Sequence, residues 1–229
     1  MEFPSKKRKL KDVTLVIIDT LKPELCLKLL KYNSKFFDFG NIKLFTNKKP
    51  ENDLNGIDFV KIKTLNQVDK LQKPGFNDYS EFCINELHKY IDTKFCLIIQ
   101  RDGFISNYKN WDDEFLKYDY IGAPWSPYHL KSCKWIQDKK NLNLVGNGGF
   151  SLRSKHILQL AAKCPAPEIG PEDAYFCNNN KQYFLNNGAK HAPPSLALKF
   201  SRDNPTVLSD TFGFHGNKNY INYVLKGFQ

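Results

Sequence analysis

The first hundred residues alternate between short apolar runs and polar exits. Residues 13–18 form a near-continuous, β-branched stretch, which predicts a strand buried on both faces of a parallel sheet. Its polar end, Asp19-Thr20, then falls at the strand's carboxyl edge, where α/β folds bind ligands. Pro23 suits a first helical turn, and the spacing of Leu25, Leu29 and Leu30 carries that helix to about Tyr32. Residues 42–46 and 58–62 read as a second strand and a third, more exposed one. Strand–helix–strand at this spacing predicts a right-handed βαβ unit. From Asp78 to Tyr90, Tyr79, Phe82, Cys83, Leu87 and Tyr90 recur at helical spacing, with Asp78 as N-cap. Residues 95–99 are again a buried strand, leaving through Gln100-Arg101-Asp102-Gly103.

The second half is less regular. Residues 111–116 suit a short amphipathic helix, and 118–125 a short strand running into a Gly/Pro turn. Lys73-Pro74-Gly75 reads as a turn, and residues 126–141 as an irregular, mobile or acceptor-facing loop. Three glycines in Gly146-Asn147-Gly148-Gly149 rule out regular structure there. Ser154 caps a helix to Ala162, Pro171-Glu172-Asp173 opens one to about Asn180, and residues 217–226 suggest a last helix. Pro193-Pro194 and Asn204-Pro205 frame a short apolar segment. With no repeat and no internal boundary, the pattern predicts one α/β domain over residues 13–229 behind a flexible basic arm, residues 1–12.

Composition changes this picture little. The chain has 229 residues, 41% of them hydrophobic, enough for a substantial core. Of the net charge of +10, Lys6, Lys7, Arg8, Lys9 and Lys11 against Glu2 place +4 in the first eleven residues. That arm reads first as a solvated, flexible terminus, although residues 5–11 also match the loose nuclear-localisation pattern. Past residue 12 the lysines are not clustered, so no nucleic-acid partner is expected. The six cysteines form no Cys-x-x-Cys pair, which favours free thiols and a reducing, cytoplasmic compartment. The apolar runs are strand-length, so neither a membrane span nor a signal peptide is expected.

Several polar groups could carry chemistry. Asp102 follows a buried strand and is either a turn former or a ligand for Mg²⁺ or Mn²⁺ bridging two phosphates. Arg101 points back to the sheet's flank or pairs with phosphate. Gly148 and Gly149 allow backbone to approach a ligand closely, and Asn147 offers a donor and an acceptor for sugar hydroxyls. Glu172 and Asp173 either complement a helix N-terminus or include a general base. His215, flanked by Gly213 and Gly216, is a candidate metal ligand. His88, His129, His156 and His191 are read as surface residues. Trp125 and Trp135 could stack on a sugar face or anchor loops.

Taken in order, Ile99-Gln100-Arg101-Asp102, Asp119-Tyr120-Ile121-Gly122-Ala123-Pro124-Trp125, Gly146-Asn147-Gly148-Gly149-Phe150-Ser151-Leu152-Arg153, Pro171-Glu172-Asp173 and Phe212-Gly213-Phe214-His215 resemble a family of GT-A-like glycosyltransferase domains. The resemblance covers about residues 13–216. More distantly, the chain is similar to the inverting β-1,3-galactosyltransferase and fringe-like enzymes. The resemblance implies a mixed, mostly parallel sheet flanked by helices and a UDP-sugar donor. By the reading of strand ends and the glycine turn, that donor is expected to touch Asp19, Thr20, Thr46, Arg101, Asn147, Gly148 and Gly149. The resemblance also implies Mn²⁺ or Mg²⁺ on Asp102 and His215, and Asp173 as catalytic base with Glu172 beside it. The acceptor, a glycan, protein or small molecule, is expected near Trp125 if that ring stacks on a sugar. Gln100 departs from it, standing where the family's metal motif has a carboxylate. The alternative is a degenerate fold that binds glycan or nucleotide without turnover.

Overall fold

Strand β1 (Arg8–Ile18) runs through the middle of a six-stranded sheet. The computed structural model describes residues 3–65, 78–126, 142–165, 171–205 and 210–216, with Lys131, Cys133, Lys134, Ile136 and Lys140. The Lys73-Pro74-Gly75 turn, most of the loop at 126–141 with His129 and Trp135, and the helix at 217–226 lie outside the described residues. β1 pairs in parallel with β2 (Phe37–Thr46) and β4 (Phe95–Ile99). β3 (Asp58–Lys61) extends the sheet beyond β2, and on the far side the order is β4, β6 (Ser151–Ser154), β5 (Tyr120–Gly122). β6 runs antiparallel to both neighbours. The sheet is therefore mostly parallel, as the apolar runs predict.

Alternation within β1 separates two cores. Leu15 and Ile17 face one cluster with Leu97, Ile99, Phe150 and Leu152, covered by Leu27, Leu29 and Leu30 of α1 (Pro23–Asn33). Val16 and Ile18 face the other, with Phe45, Ile98, Tyr120 and Phe176. A side-chain period of two makes this division obligatory once both faces are covered. Asn33 ties α1 to the chain beyond β4: its Nδ2 donates to Leu29 O at 2.7 Å, and its Oδ1 accepts from Ile105 N at 2.9 Å.

Several boundaries differ from expectation. The arm is not free beyond residue 7, because Arg8, Lys9 and Leu10 pair with Phe37, Asp38 and Phe39. Leu10 is buried, while Arg8 and Lys11 stay exposed and pair with Asp113 and Asp38. Phe3 also lies against Tyr32 and Phe36. The helix read over 78–90 is composite: α2 (Asp78–Glu81), a π-helical turn over Phe82–Glu86 and a 3₁₀ turn over Leu87–Tyr90. Residues 111–116 form no α-helix; 3₁₀ turns at Tyr108–Asn110 and Asp113–Lys117 are capped by Asn107 and Asp112. His191 is no surface residue either. Its Nε2 lies 3.0 Å from Phe176 O, and burial pushes its pKa down to about 4.

Helix α3 (Lys155–Ala161) starts as its cap residue dictates. Ser154 Oγ accepts from Ile157 N at 3.0 Å and donates to Asp119 Oδ1. Ser154→Ala should cost about 1 kcal/mol, read as a lower denaturant midpoint at an unchanged slope.

Downstream come α4 (Glu172–Ala174), which passes into a π-helical turn over Tyr175–Asn179, then α5 (Lys181–Asn186) and α6 (Pro194–Phe200). β7 (Ser201–Asp203) and β8 (Gly213–His215) form a separate parallel pair. β8 reaches the loop after β4 through Ile105 opposite Gly213 and through Gly216 N donating to Asp102 O at 2.8 Å. Among the described residues, no helix is long and apolar enough to cross a membrane.

Candidate active site

Backbone geometry at the end of β4 brings the first group forward. Gln100 N donates to Gly103 O at 2.8 Å and Gly103 N to Gln100 O at 3.2 Å, a reversal with Arg101 and Asp102 at its tip. β8 then carries His215 to this turn from 113 positions further along the chain. His215 Nε2 lies 3.8 Å from Asp102 Oδ1 and 3.3 Å from Gln100 Oε1. Gln100 Nε2 donates to Tyr79 Oη at 3.2 Å, which turns Oε1 toward the imidazole. On its other side His215 Nδ1 donates to Asp203 Oδ1 at 3.0 Å.

The glycine string explains how the ring fits. A Cβ on Gly149 would lie 2.1 Å from His215 Cδ2 and 2.7 Å from Gln100 Oε1. Any side chain there would expel the imidazole, so Gly149 serves His215 at least as directly as it would serve a ligand. Burial disfavours the imidazolium, but the hydrogen bond donated to Asp203 and the charges of Asp102, Asp203 and Asp173 outweigh it and raise the His215 pKa.

Asp173 is the second focus. Pro171 caps α4, so Glu172 and Asp173 occupy its first turn, yet they face different surroundings. Glu172 is buried and bonded to Arg153, Nη2 to Oε1 at 2.8 Å. That pairing and burial turn Glu172 toward the core side of the helix start, where the guanidinium engages its Oε1. Asp173 is half-buried; Oδ1 accepts from Ala174 N at 2.7 Å and Oδ2 from Gly148 N at 3.3 Å. Burial, reinforced by the charge of Glu172, raises its pKa to about 7.

The remaining expected contacts divide. Asp19 and Arg101 meet each other, Oδ2 to Nε at 2.6 Å, while Asp19 Oδ1 accepts from Leu21 N and Lys22 N. The pair sits beside Asp102, with 31% of the Arg101 side chain exposed. Thr20 Oγ1 accepts from Leu65 N at 3.2 Å. Thr46 is fully buried and its hydroxyl has no partner among the described residues, so it offers no surface for contact with a ligand. Asn147 is buried too, its Oδ1 spent on Gly149 N at 3.1 Å, shaping the loop in place of a free sugar contact. Trp125 lies over Gly146, where a Cβ would come within 2.2 Å of its ring, and packs against both neighbouring apolar clusters. Loop anchoring explains it.

Asp203, Arg153 and Tyr79 take part although sequence reasoning passed them over. Arg153 did leave a signal: it is a lone cation in a strand whose four residues are all buried. Asp203 left none, because its role depends on the register of β7 against β8.

Whether a divalent cation fits can be judged from the donor set. An octahedral Mg²⁺ site with bonds of about 2.1 Å places adjacent ligands roughly 3 Å apart; the two oxygens facing His215 Nε2 are at 3.3 and 3.8 Å. A hydrogen bond from Nδ1 to a carboxylate is also the usual outer support of a ligating histidine. The set Gln100, Asp102 and His215 therefore fits. Among the described residues no cluster of three His, Cys, Asp or Glu is placed to hold a metal, so the third ligand would be the Gln100 amide oxygen.

A family model described as "Protein of unknown function (DUF5672)" matches residues 60–215. The chain belongs to that family. No curated protein matches it. Among solved structures, an active-site mutant of LgtC aligns at 10% identity with a TM-score of 0.55, over 94% of this chain and 95% of that one. The mannosyltransferase PcManGT from Pyrobaculum calidifontis, in complex with GDP-Man and Mn²⁺, aligns at 10% identity with a TM-score of 0.48. That alignment takes in 86% of this chain and 57% of that one, so the chain spans little more than half the mannosyltransferase. The near end-to-end match to LgtC shows the DUF5672 chain to have a GT-A-like glycosyltransferase fold.

Proposed function

We propose that the chain is a glycosyltransferase that moves a sugar from a nucleotide-sugar, UDP-linked in the first instance, to an acceptor hydroxyl with inversion. The observation that carries this reading is the convergence of Gln100, Asp102 and His215 beside Gly149, one glycine away from the Gly148 amide that holds Asp173. A phosphate-bound cation and a base for a hydroxyl need that pairing of sites.

Asp102 Oδ1, His215 Nε2 and Gln100 Oε1 would hold Mn²⁺ or Mg²⁺, which supplies neutralisation of the charge that develops on the leaving diphosphate. Arg101, with N–H groups left after its bond to Asp19, meets the same diphosphate. Asp173 takes the acceptor's hydroxyl proton as the acceptor oxygen bonds to the anomeric carbon. The bond from that carbon to the diphosphate oxygen breaks, and its electron pair leaves with the nucleotide. A base with a pKa of about 7 suits this step near neutrality. In this reading the Gly148–Gly149 backbone would border the donor sugar.

Calorimetry with UDP-glucose, UDP-galactose and their N-acetyl forms, with and without Mn²⁺, tests the reading. Asp102→Ala and His215→Ala should each weaken metal-dependent donor binding at least tenfold. Unchanged binding in both would remove the site, and no binding by the wild type would remove the reading. A second reading, a non-catalytic binding module, is favoured by the neutral Gln100 and by the mutual Asp19–Arg101 pair. Donor binding without transfer across an acceptor panel would select it.

A further inference from the structure

Beneath the glycine loop lies a charged group that the proposed reaction does not use. Arg153 has no exposed surface, and its guanidinium sits 5.2 Å from the centre of the Tyr120 ring and 5.1 Å from that of Phe176. Nε donates to Ser151 Oγ at 3.1 Å and Nη2 to Glu172 Oε1 at 2.8 Å. Ser151 Oγ in turn donates to Gly148 O at 2.9 Å, and Arg153 Nη2 approaches the same carbonyl at 3.5 Å. Gly148 is therefore held through both of its backbone groups, its carbonyl by Ser151 and Arg153, and its N–H by Asp173.

We propose that Arg153 is a positioning residue for the base: through Ser151 and Glu172 it fixes the Gly148 peptide and the first turn of α4, and so holds the Asp173 carboxylate in its working orientation. The inference rests on the transferase reading for its catalytic consequence.

Stability alone does not account for the pair. Burying two charges costs several kcal/mol each, and apolar residues of similar volume serve a core as well or better. An apolar pair would lack a planar fork able to serve a hydroxyl and a carboxylate together. Gly148 records the constraint from the other side, since a Cβ there would lie 2.3 Å from Glu172 Oε1 and 2.8 Å from Arg153 Nη2.

Arg153→Lys keeps the charge and removes the fork; Ser151→Ala leaves the ion pair and removes the relay to Gly148. Both should lower kcat at least tenfold while KM and calorimetric donor affinity change less than threefold. Both should also move the titration of Asp173, followed by carboxyl ¹³C NMR on the full chain, to higher pH. Loss of the Gly148 N–H bond withdraws support from the ionised form. The titratable and charged groups around Asp173 are Glu172, Arg153, Tyr120, Cys177 and His215, and neither variant changes the net charge of that set. Wild-type kcat together with an unmoved Asp173 titration in a folded Ser151→Ala protein overturns the proposal. If the wild type neither binds nor transfers a sugar, the transferase reading fails separately. The carboxyl titration then still decides whether Arg153 positions Asp173. Should Arg153→Lys not fold, Ser151→Ala carries both measurements.

Discussion

Asp173→Asn should reduce kcat by about 10²–10⁴-fold, the usual contribution of a positioned general base, while donor affinity stays within threefold of wild type. The amide keeps the carboxylate's shape, and its one oxygen can still accept a backbone N–H, so the loop around Gly148 has reason to hold. Loss of both binding and turnover would assign Asp173 a structural role at the start of α4. The wild-type profile should follow the same group. With a pKa raised to about 7, chiefly by burial, kcat should fall roughly tenfold per pH unit below that value as the base becomes protonated. The stability effect has the opposite sign. Between the ordinary carboxyl value near 4 and about 7, the folded state binds the proton more tightly than the unfolded chain does. Stability from this group is therefore present at low pH and lost as pH rises through 7. Asp173→Asn should raise the melting temperature at pH 8 and change it little at pH 5, a trade of stability for activity.

Arg153→Met is the larger structural perturbation. It leaves the Glu172 carboxylate buried without its cation, a loss of about 3–5 kcal/mol. For a chain of this size that corresponds to roughly 6–20 °C in melting temperature, measurable by calorimetry or circular dichroism. Arg153→Met combined with Glu172→Leu should recover most of it, because the unpaired charge is gone. If Arg153 positions Asp173, the double variant regains stability without regaining kcat. A single variant as stable as wild type would show that Glu172 reaches water by a route its 5% exposure does not suggest.

Strands and helices with strong local pattern were legible in the sequence. Residues 95–99 read as a buried strand and are one, and Ser154 caps its helix as a serine before an apolar period should. What the pattern missed depended on partners. Arg8 to Asp12 read as a charged tail because charge outweighs one leucine locally; pairing with β2 and the burial of Leu10 make it strand. In the site, the proximity of Asp102 and His215 was expected from a family resemblance. The fates of Glu172, Thr46 and Asn147 could not be read, since each is decided by a neighbour distant in sequence or by burial. The ion pair between Asp19 and Arg101, 82 positions apart, is likewise invisible in the local pattern.

The central position of β1 bears on how this family should be cut for expression. The matched region begins at residue 60, after β1, α1 and β2 have passed. A fragment with those boundaries would keep β4 and β6 while stripping β4 of its other neighbour. The result would be a bare row of amide and carbonyl groups flanked by Cys96, Leu97, Ile98 and Ile99, the kind of open edge on which chains aggregate. A unit that keeps β4 covered retains Val13 to Ile17, and one that keeps all of β2 paired starts at Arg8.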